Sequence, residues 1–257
     1  MPDGLRPSSA KSSRDLPANM ADRLIVALDV PTIQEANALV EKLDGVVSFY
    51  KIGLWLAYVE GADRLIATLI QAGKKVFLDT KMFDIGQTVE EGVARAADRG
   101  VSFVTVHGDG QIIRSAVKGK RGSALKIFSV TVLTSLSDAD LFSMGYRLTA
   151  QELVHLRVTE AIKYGCDGII ASAHDNPDEI RRIAGSESLL IATPGIRPQG
   201  DTADDHQRSA TPADAIAKGA DYLVVGRPII GKADPNGEAR RIVDEMITGA
   251  KSRQTAS

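Results

Sequence analysis

Short runs of apolar residues alternate with amphipathic stretches along most of the chain, starting at about residue 22. A short apolar run predicts a buried strand, whereas apolar residues three and four positions apart predict a helix. Predicted strands cover 24–28, 46–52, the start of 75–88, 102–107, 125–133, 167–172, 188–193 and 222–225. Predicted helices cover 31–43, 58–71, 88–99, 111–118, 149–164, 177–184, 213–218 and 238–247. The pattern therefore predicts eight successive strand–helix units.

The predicted strands are almost continuously apolar, which is typical of a parallel sheet covered by helices on both faces. Eight such units in 257 residues predict an α/β protein with one domain, a closed (β/α)8 or TIM barrel. An open, doubly wound sheet is the alternative fold. The first strand is not followed by the GxGxxG pattern of dinucleotide-binding sheets, which favours the barrel.

The two ends of the chain differ in composition from the rest. Residues 1–21 are rich in Ser, Pro and charge and lack the apolar core of a secretory signal, so we expect a disordered N-terminal tail. The barrel domain is expected over 22–250, and 251–257 is expected to be a C-terminal tail.

Charge and cysteine content narrow the class of protein. The net charge is −2, so no basic surface indicates nucleic acid or membrane as a partner. The single cysteine, Cys166, cannot form an internal disulfide and fits the reducing cytoplasm. No apolar run approaches the roughly 18 residues of a membrane-spanning helix. We therefore expect a cytoplasmic protein.

Polar residues gather at the ends of the predicted strands, where the active sites of barrels of this class are built. They are Asp29, Lys51, Asp79, Lys81, His107, Thr134, Arg197 and Arg227. Charges scattered at random would not favour one end of so many strands. This bias predicts a functional site at the carboxyl ends of the strands.

The segment 75–88 has the densest chemistry. Side chains alternate along a strand, so Asp79 and Lys81 are expected to face the same way, with Asp84 in the loop that follows. Burying such charges is costly unless they are paired. The residues indicate either a catalytic pair or a structural ion pair at a strand end.

A second cluster follows the seventh and eighth strands. The loop 193–212 is long, polar and rich in Gly, Pro and Asp, as mobile lids are. Gly226 and Arg227 could bind a phosphate through backbone N–H groups and a guanidinium. An ordinary turn with a solvated arginine is the alternative. His107 could line the site or be a core histidine bonded to backbone, and the histidines do not show zinc-ligand spacing.

Seven sequence motifs together resemble one known family. They are ALD with Asp29, YKIG with Lys51, LDTKMFDI with Asp79, Lys81 and Asp84, then VTVHG, VTVLTS, TPGIRP and VVGRPI. This set is similar to that of the bacterial orotidine 5′-phosphate decarboxylases. The resemblance implies a lyase that converts orotidine 5′-phosphate to uridine 5′-phosphate and CO2 in pyrimidine synthesis. It also implies that neither a metal nor an organic cofactor takes part.

The resemblance also implies a role for each matching residue. Lys81 would protonate C6 of the pyrimidine within a network of Asp79 and Asp84. Asp84 and Thr88 would reach into the partner's site, which implies a homodimer with shared active sites. The substrate-binding residues implied are Asp29 and Lys51 for the ribose, Thr134 for the pyrimidine, and Pro194, Arg197, Gly226 and Arg227 for the lid and the phosphate. Either His206 or Gln207 would supply the lid contact across base and phosphate.

Two other functions are compatible with parts of the pattern. Mg2+-dependent sugar-phosphate decarboxylases and aldolases share this barrel and a DxKxxD element, and Gly86 replaces a proline that many orotidylate enzymes have. Ile85, the TPGIRP motif and the long lid favour orotidylate. A non-catalytic barrel that binds phosphosugars is a different class, and the intact Asp79, Lys81 and Asp84 weigh against it.

Overall fold

The computed structural model describes residues 14–200 and 210–256 and has a closed barrel of eight parallel strands. Each strand pairs with the next in chain order, and β8 pairs with β1. The barrel and its single domain confirm the predicted fold and exclude the open sheet. The strands are β1 Leu24–Ala27, β2 Phe49–Gly53, β3 Lys75–Met82, β4 Phe103–His107, β5 Lys126–Val130, β6 Gly168–Ile170, β7 Leu190–Thr193 and β8 Tyr222–Val225.

Eleven α-helices of the described residues surround or follow these strands. They are α1 Ile33–Lys42, α2 Leu54–Ala57, α3 Ala62–Gln71, α4 Gly86–Asp98, α5 Gly110–Gly119, α6 Asp138–Ser143, α7 Ala150–Lys163, α8 Pro177–Ala184, α9 Pro212–Ala217, α10 Arg227–Ile230 and α11 Pro235–Ala256. The eight predicted helices are all present. Three short helices, α2, α6 and α10, were not predicted.

Capping explains where several helices begin. Thr32 precedes α1 and accepts a hydrogen bond from the backbone N–H of Glu35. Thr149 and Glu152 form a capping box at the start of α7. The last helix, α11, is longer than predicted and includes most of the segment 251–257 that the sequence indicated as a tail.

Aromatic residues fill the lower half of the barrel. Phe49, Phe77 and Phe103 belong to one buried cluster, and the rings of Phe49 and Phe103 lie 4.8 Å apart. Each of these residues comes two positions before a polar one, Lys51, Asp79 or Thr105 in turn. Because positions i and i+2 of a strand face the same side, the polar residues stand directly above the aromatic cluster, toward the carboxyl ends of the strands. We call this end the mouth and the opposite end the floor.

Residues 14–19 lie at the floor, before the first strand. Arg14 Nε is 3.3 Å from a carboxylate oxygen of Asp221, and Leu16 packs against the aromatic cluster. These contacts tie part of the predicted N-terminal tail to the barrel. Residues 1–13 lie outside the described part of the chain. None of the helices in the described ranges is long and apolar enough to cross a lipid bilayer.

Candidate active site

Four charged side chains from β2, β3 and the end of β1 form a row across the mouth. Lys51 Nζ lies 3.2 Å from Asp29 Oδ1 and 3.5 Å from Asp79 Oδ2. Lys81 Nζ lies 2.8 Å from Asp79 Oδ1. The signs alternate along the row, so every charge has an opposite charge beside it. The expected pairing of Asp79 with Lys81 is confirmed.

The middle of this row is buried and its ends are open. The side chains of Lys51 and Asp79 are 11% and 13% exposed, whereas those of Asp29 and Lys81 are each 40% exposed. Burial alone raises the pKa of the Asp79 carboxyl, but Lys51, Lys81 and two hydrogen bonds outweigh it, and the pKa is lowered. Asp79 is therefore a carboxylate at neutral pH, and Lys81 can reach a ligand in the mouth.

Glycine at position 53 leaves room for this row. A Cβ on Gly53 would lie 3.2 Å from Asp29 Oδ1 and 3.3 Å from Lys51 Nζ. A side chain there would require these two groups to shift by a few tenths of an ångström. Gly53 thus lets β2 end directly beside the ion pair.

The backbone of β3 is irregular at Lys81. Its register against β4 shifts between Leu78 and Met82, and Lys81 has a φ of 48°, a left-handed conformation that is rare for residues other than glycine. The Lys81 N–H donates to Thr105 Oγ1 at 2.9 Å, and this hydroxyl donates to Asp79 Oδ1 at 2.8 Å. Simple alternation along a strand predicted which side chains meet but not this bulge.

Thr105 was missed in the sequence. Its position was visible, because a hydroxyl two residues after Phe103 and two before His107 must share their face of β4. No pattern showed that it would contact a residue of β3. Its partners became evident only when the two strands were paired.

Asp84 and Thr88 lie on the outer side of the mouth. Both are exposed, and Asp84 Oδ1 accepts a hydrogen bond from the backbone N–H of Ile85 at 2.6 Å. Within residues 14–200 and 210–256, Asp84 forms no ion pair. Of the two aspartates expected around Lys81, Asp79 is therefore paired with it within one chain and Asp84 is not.

The ends of the predicted lid are held together beside β7. Ile196 and Ala210 form a parallel bridge, and the Arg197 N–H donates to the Ala210 carbonyl at 2.9 Å. Pro194 and Arg197 are partly buried at the start of this loop. His206 and Gln207, the two candidates for the lid contact, lie outside the described residues.

Gly226 brings the end of β8 close to the charged row. A Cβ at this position would be 3.4 Å from Asp29 Oδ2 and 3.5 Å from the Ala27 side chain. Arg227 follows as the first residue of α10, with an exposed side chain. Thr134 lies in a turn after β5 and is half-buried. The structure therefore places these predicted residues around the same mouth as Lys81.

Two open questions from the sequence have structural answers. His107 is 28% exposed and its Nδ1 lies 2.6 Å from Asp109 Oδ2, so it lines the mouth and is not a core histidine bonded to backbone. Gly86 begins α4 where a Cβ would lie 2.6 Å from Ser115 Oγ, so close packing on α5 accounts for glycine there. Across the described ranges, no three His, Cys, Asp or Glu side chains are grouped as metal ligands.

Known proteins resemble this chain over most of its length. The sequence model of the orotidine 5′-phosphate decarboxylase / HUMPS family matches residues 22–242. Orotidine 5′-phosphate decarboxylase of Rhodopseudomonas palustris strain BisA53 is 48% identical over 233 residues, which are 90% of this chain and 97% of that protein. The corresponding protein of Caulobacter vibrioides strain NA1000 is 49% identical over 226 residues, 87% of this chain and 97% of its own.

A solved structure agrees in fold. The crystal structure of orotidine 5′-phosphate decarboxylase from Lactobacillus acidophilus aligns with a TM-score of 0.77 and 35% identity, covering 88% of this chain and 99% of that one. The family match spans all eight strands, including every residue of the charged row. With this barrel and this extent of similarity, the chain belongs to the orotidine 5′-phosphate decarboxylase / HUMPS family.

Proposed function

We propose that this protein is a carboxy-lyase that decarboxylates orotidine 5′-phosphate to uridine 5′-phosphate and CO2 in pyrimidine nucleotide synthesis. The row Asp29–Lys51–Asp79–Lys81 at the mouth is the observation that carries the proposal. It occurs in a chain about half identical to proteins named for that reaction.

The chemistry needs a cation beside one carbon. When the bond from C6 to the carboxyl group breaks, its electron pair stays on C6, where the ring offers no adjacent electron sink. The Lys81 ammonium would stabilise this carbanion and then donate a proton to C6, leaving a neutral amine. A positive charge in a site closed to water stabilises such an anion far more than it would in bulk solvent. Asp79, kept as a carboxylate by its lowered pKa, would orient that ammonium.

The remaining mouth residues would bind the rest of the nucleotide. Asp29 and Lys51 would contact the ribose hydroxyls, and Thr134 the pyrimidine. The phosphate would lie at the ends of β7 and β8, where such groups often bind in these barrels. Its ligands would be the Gly226 N–H and the Arg227 guanidinium, next to Pro194 and Arg197 at the base of the lid. Phosphate binding far from C6 would help to close the lid, through His206 or Gln207, and exclude water.

We also propose a cytoplasmic homodimer in which each subunit completes its partner's site. Asp84 and Thr88 are exposed in the single chain. Phe83 and Ile85, on either side of Asp84, are 66% and 72% exposed, and Trp55, which follows the adjacent strand β2, is 50% exposed; such exposure is unusual for large apolar side chains. A second copy of the chain would cover this surface and bring its Asp84 to Lys81.

Mixed dimers test the shared site. Purified Lys81→Ala and Asp84→Ala proteins should each be nearly inactive. When they are mixed and re-associated, about a quarter of wild-type activity should return, because half of the dimers are mixed and each mixed dimer has one intact site. If the mixture stays as inactive as its components, the two residues act within one subunit.

The Mg2+-dependent sugar-phosphate reaction is the alternative, since the matched family includes both groups. The wild-type protein should be assayed for loss of orotidine 5′-phosphate absorbance, with and without EDTA. We expect equal turnover in both conditions. Absence of orotidylate turnover, together with EDTA-sensitive conversion of a sugar phosphate, would support the alternative instead.

A further inference from the structure

Lys81 has a backbone conformation that its position in a strand does not explain. Of the described residues other than glycine, only Lys81, Arg121 and Asn176 have positive φ. Arg121 and Asn176 lie next to helix ends, where such conformations are common, but Lys81 lies inside β3. A strained residue at a functional site is maintained only where its surroundings hold it in place.

The Thr105 hydroxyl is the group that holds it. Thr105 is fully buried in β4, and its Oγ1 accepts the Lys81 N–H at 2.9 Å. The bulge breaks the regular ladder of hydrogen bonds between β3 and β4, so this N–H requires another acceptor. The side-chain oxygen takes the place of a backbone carbonyl.

The same oxygen also contacts the partner of the Lys81 ammonium. Thr105 Oγ1 donates to Asp79 Oδ1 at 2.8 Å, and Lys81 Nζ lies 2.8 Å from that same Oδ1. A hydroxyl has one proton to donate and can accept in return, so both capacities are used. Thr105 thus fixes Lys81 at two points, directly at its backbone and through Asp79 at its ammonium.

Other hydroxyls in the barrel are not used in this way. The Oγ atoms of Thr80, Ser129 and Thr193 are buried without a hydrogen-bond partner in the described structure. Replacing a buried hydroxyl that has no hydrogen-bond partner by an apolar group of the same shape should therefore change stability little. Ser129 on β5 therefore provides a matched control for removing a buried hydroxyl.

We propose that Thr105 is a positioning residue that aims the Lys81 ammonium at the reacting carbon. It acts by keeping Lys81 in its left-handed conformation and Asp79 at a set angle. The inference rests on the proposed decarboxylation, because in that reaction the orientation of the Lys81 ammonium would affect kcat.

Thr105→Val tests the proposal, because valine keeps the shape of threonine and removes the hydroxyl. We expect kcat for orotidine 5′-phosphate to fall about 10²-fold, as small misplacements of catalytic groups do, with KM changed less than about threefold. Thr105→Ser, which restores the hydroxyl, should return kcat to within about threefold of wild type, and Ser129→Ala should match wild type. A kcat of Thr105→Val within threefold of wild type would overturn the proposal.

Two further measurements separate this inference from folding and from the proposed function. If Thr105→Val does not fold, Thr105→Ser and Thr105→Ala replace it; equal kcat in that pair would show that the hydroxyl has no positioning role. If wild type does not turn over orotidylate, the proposed function fails, and a crystal structure of Thr105→Val still decides the inference. We expect Lys81 to leave positive φ and its Nζ to move from Asp79, whereas an unchanged Lys81 would refute the proposal.

Discussion

The mouth and the floor of this barrel each hold a buried carboxylate surrounded by cations, and the two behave differently. At the mouth, Asp79 is paired with Lys51 and Lys81 and its pKa is lowered. At the floor, Asp221 is paired with Arg181 and Arg14, yet burial dominates and its pKa is raised. Two similar sets of opposite charges therefore shift the pKa of the central carboxyl in opposite directions.

The cations at the two ends also differ in their other partners. At the floor, Arg181 also donates to the carbonyls of Leu189 and Gly219, and Arg23 donates to those of Ala220 and Asp221. Guanidinium groups that satisfy several carbonyls hold loops together in a fixed geometry. Such a network contributes to stability, as residues at this end of a barrel generally do.

The mouth has a different construction. Its cations are lysines, whose ammonium groups are compact charges on flexible stems, and Lys81 is 40% exposed. Its backbone is strained, which the floor arginines are not. The mouth network therefore has an exposed member with a strained backbone, Lys81, whereas the buried Arg181 of the floor network is neither exposed nor strained.

The largest effect is expected at the mouth. Lys81→Ala should reduce kcat by at least about 10⁴-fold, because in the proposed mechanism it removes both the proton donor and the charge that stabilises the carbanion. Stability should change little, because Asp79 keeps Lys51 and Thr105 as partners. Steady-state kinetics and urea unfolding measure the two effects, with Lys118→Ala, which removes an exposed lysine, as the control. Retained turnover would remove Lys81 from the mechanism.

The reverse outcome is expected at the floor. Asp221→Asn leaves the Arg181 charge buried without its carboxylate, so the free energy of unfolding should fall by about 3 kcal/mol or more. Activity of the folded variant at low temperature should stay near wild type. Urea unfolding tests this, and Glu187→Gln, at an exposed partner of Arg14, should cost less than about 1 kcal/mol. An unchanged stability for Asp221→Asn would contradict a structural role for the floor network.

The smallest effect is in the pH dependence of stability, where the two carboxylates should have opposite signs. The lowered pKa of Asp79 means that the native state binds fewer protons than the unfolded state, so its contribution is lost as pH falls below the usual 3.8. The raised pKa of Asp221 means the opposite, so its contribution weakens as pH rises above 3.8.

Unfolding measured against pH for wild type, Asp79→Asn and Asp221→Asn should show this contrast. The advantage of wild type over Asp79→Asn should shrink as the solution is acidified below 3.8. Its advantage over Asp221→Asn should shrink as the pH rises above 3.8. Two difference curves with slopes of the same sign would show that the environments of the two carboxylates do not differ as described.

Much of the mouth was predictable from short-range patterns. Asp79 and Lys81 are two residues apart on one strand, so alternation alone placed them together. Asp29, Lys51, Arg197 and Arg227 follow apolar runs, and parallel strands in a closed barrel bring their carboxyl ends to one side. The floor network was not predicted, because Arg14, Arg181 and Asp221 are far apart in the sequence and carry no motif.

The sequence by itself determined the eight strand–helix units, the parallel barrel and the polar end at which the active site is proposed, because each of these depends on short-range patterns along the chain. Tertiary structure alone decided the left-handed backbone of Lys81, its contact with Thr105 and the opposite pKa shifts of Asp79 and Asp221. These features depend on strand register and burial, which arise when distant segments pack together. The Thr105 hydroxyl on β4 can accept the Lys81 N–H only because the register of β3 against β4 shifts between Leu78 and Met82.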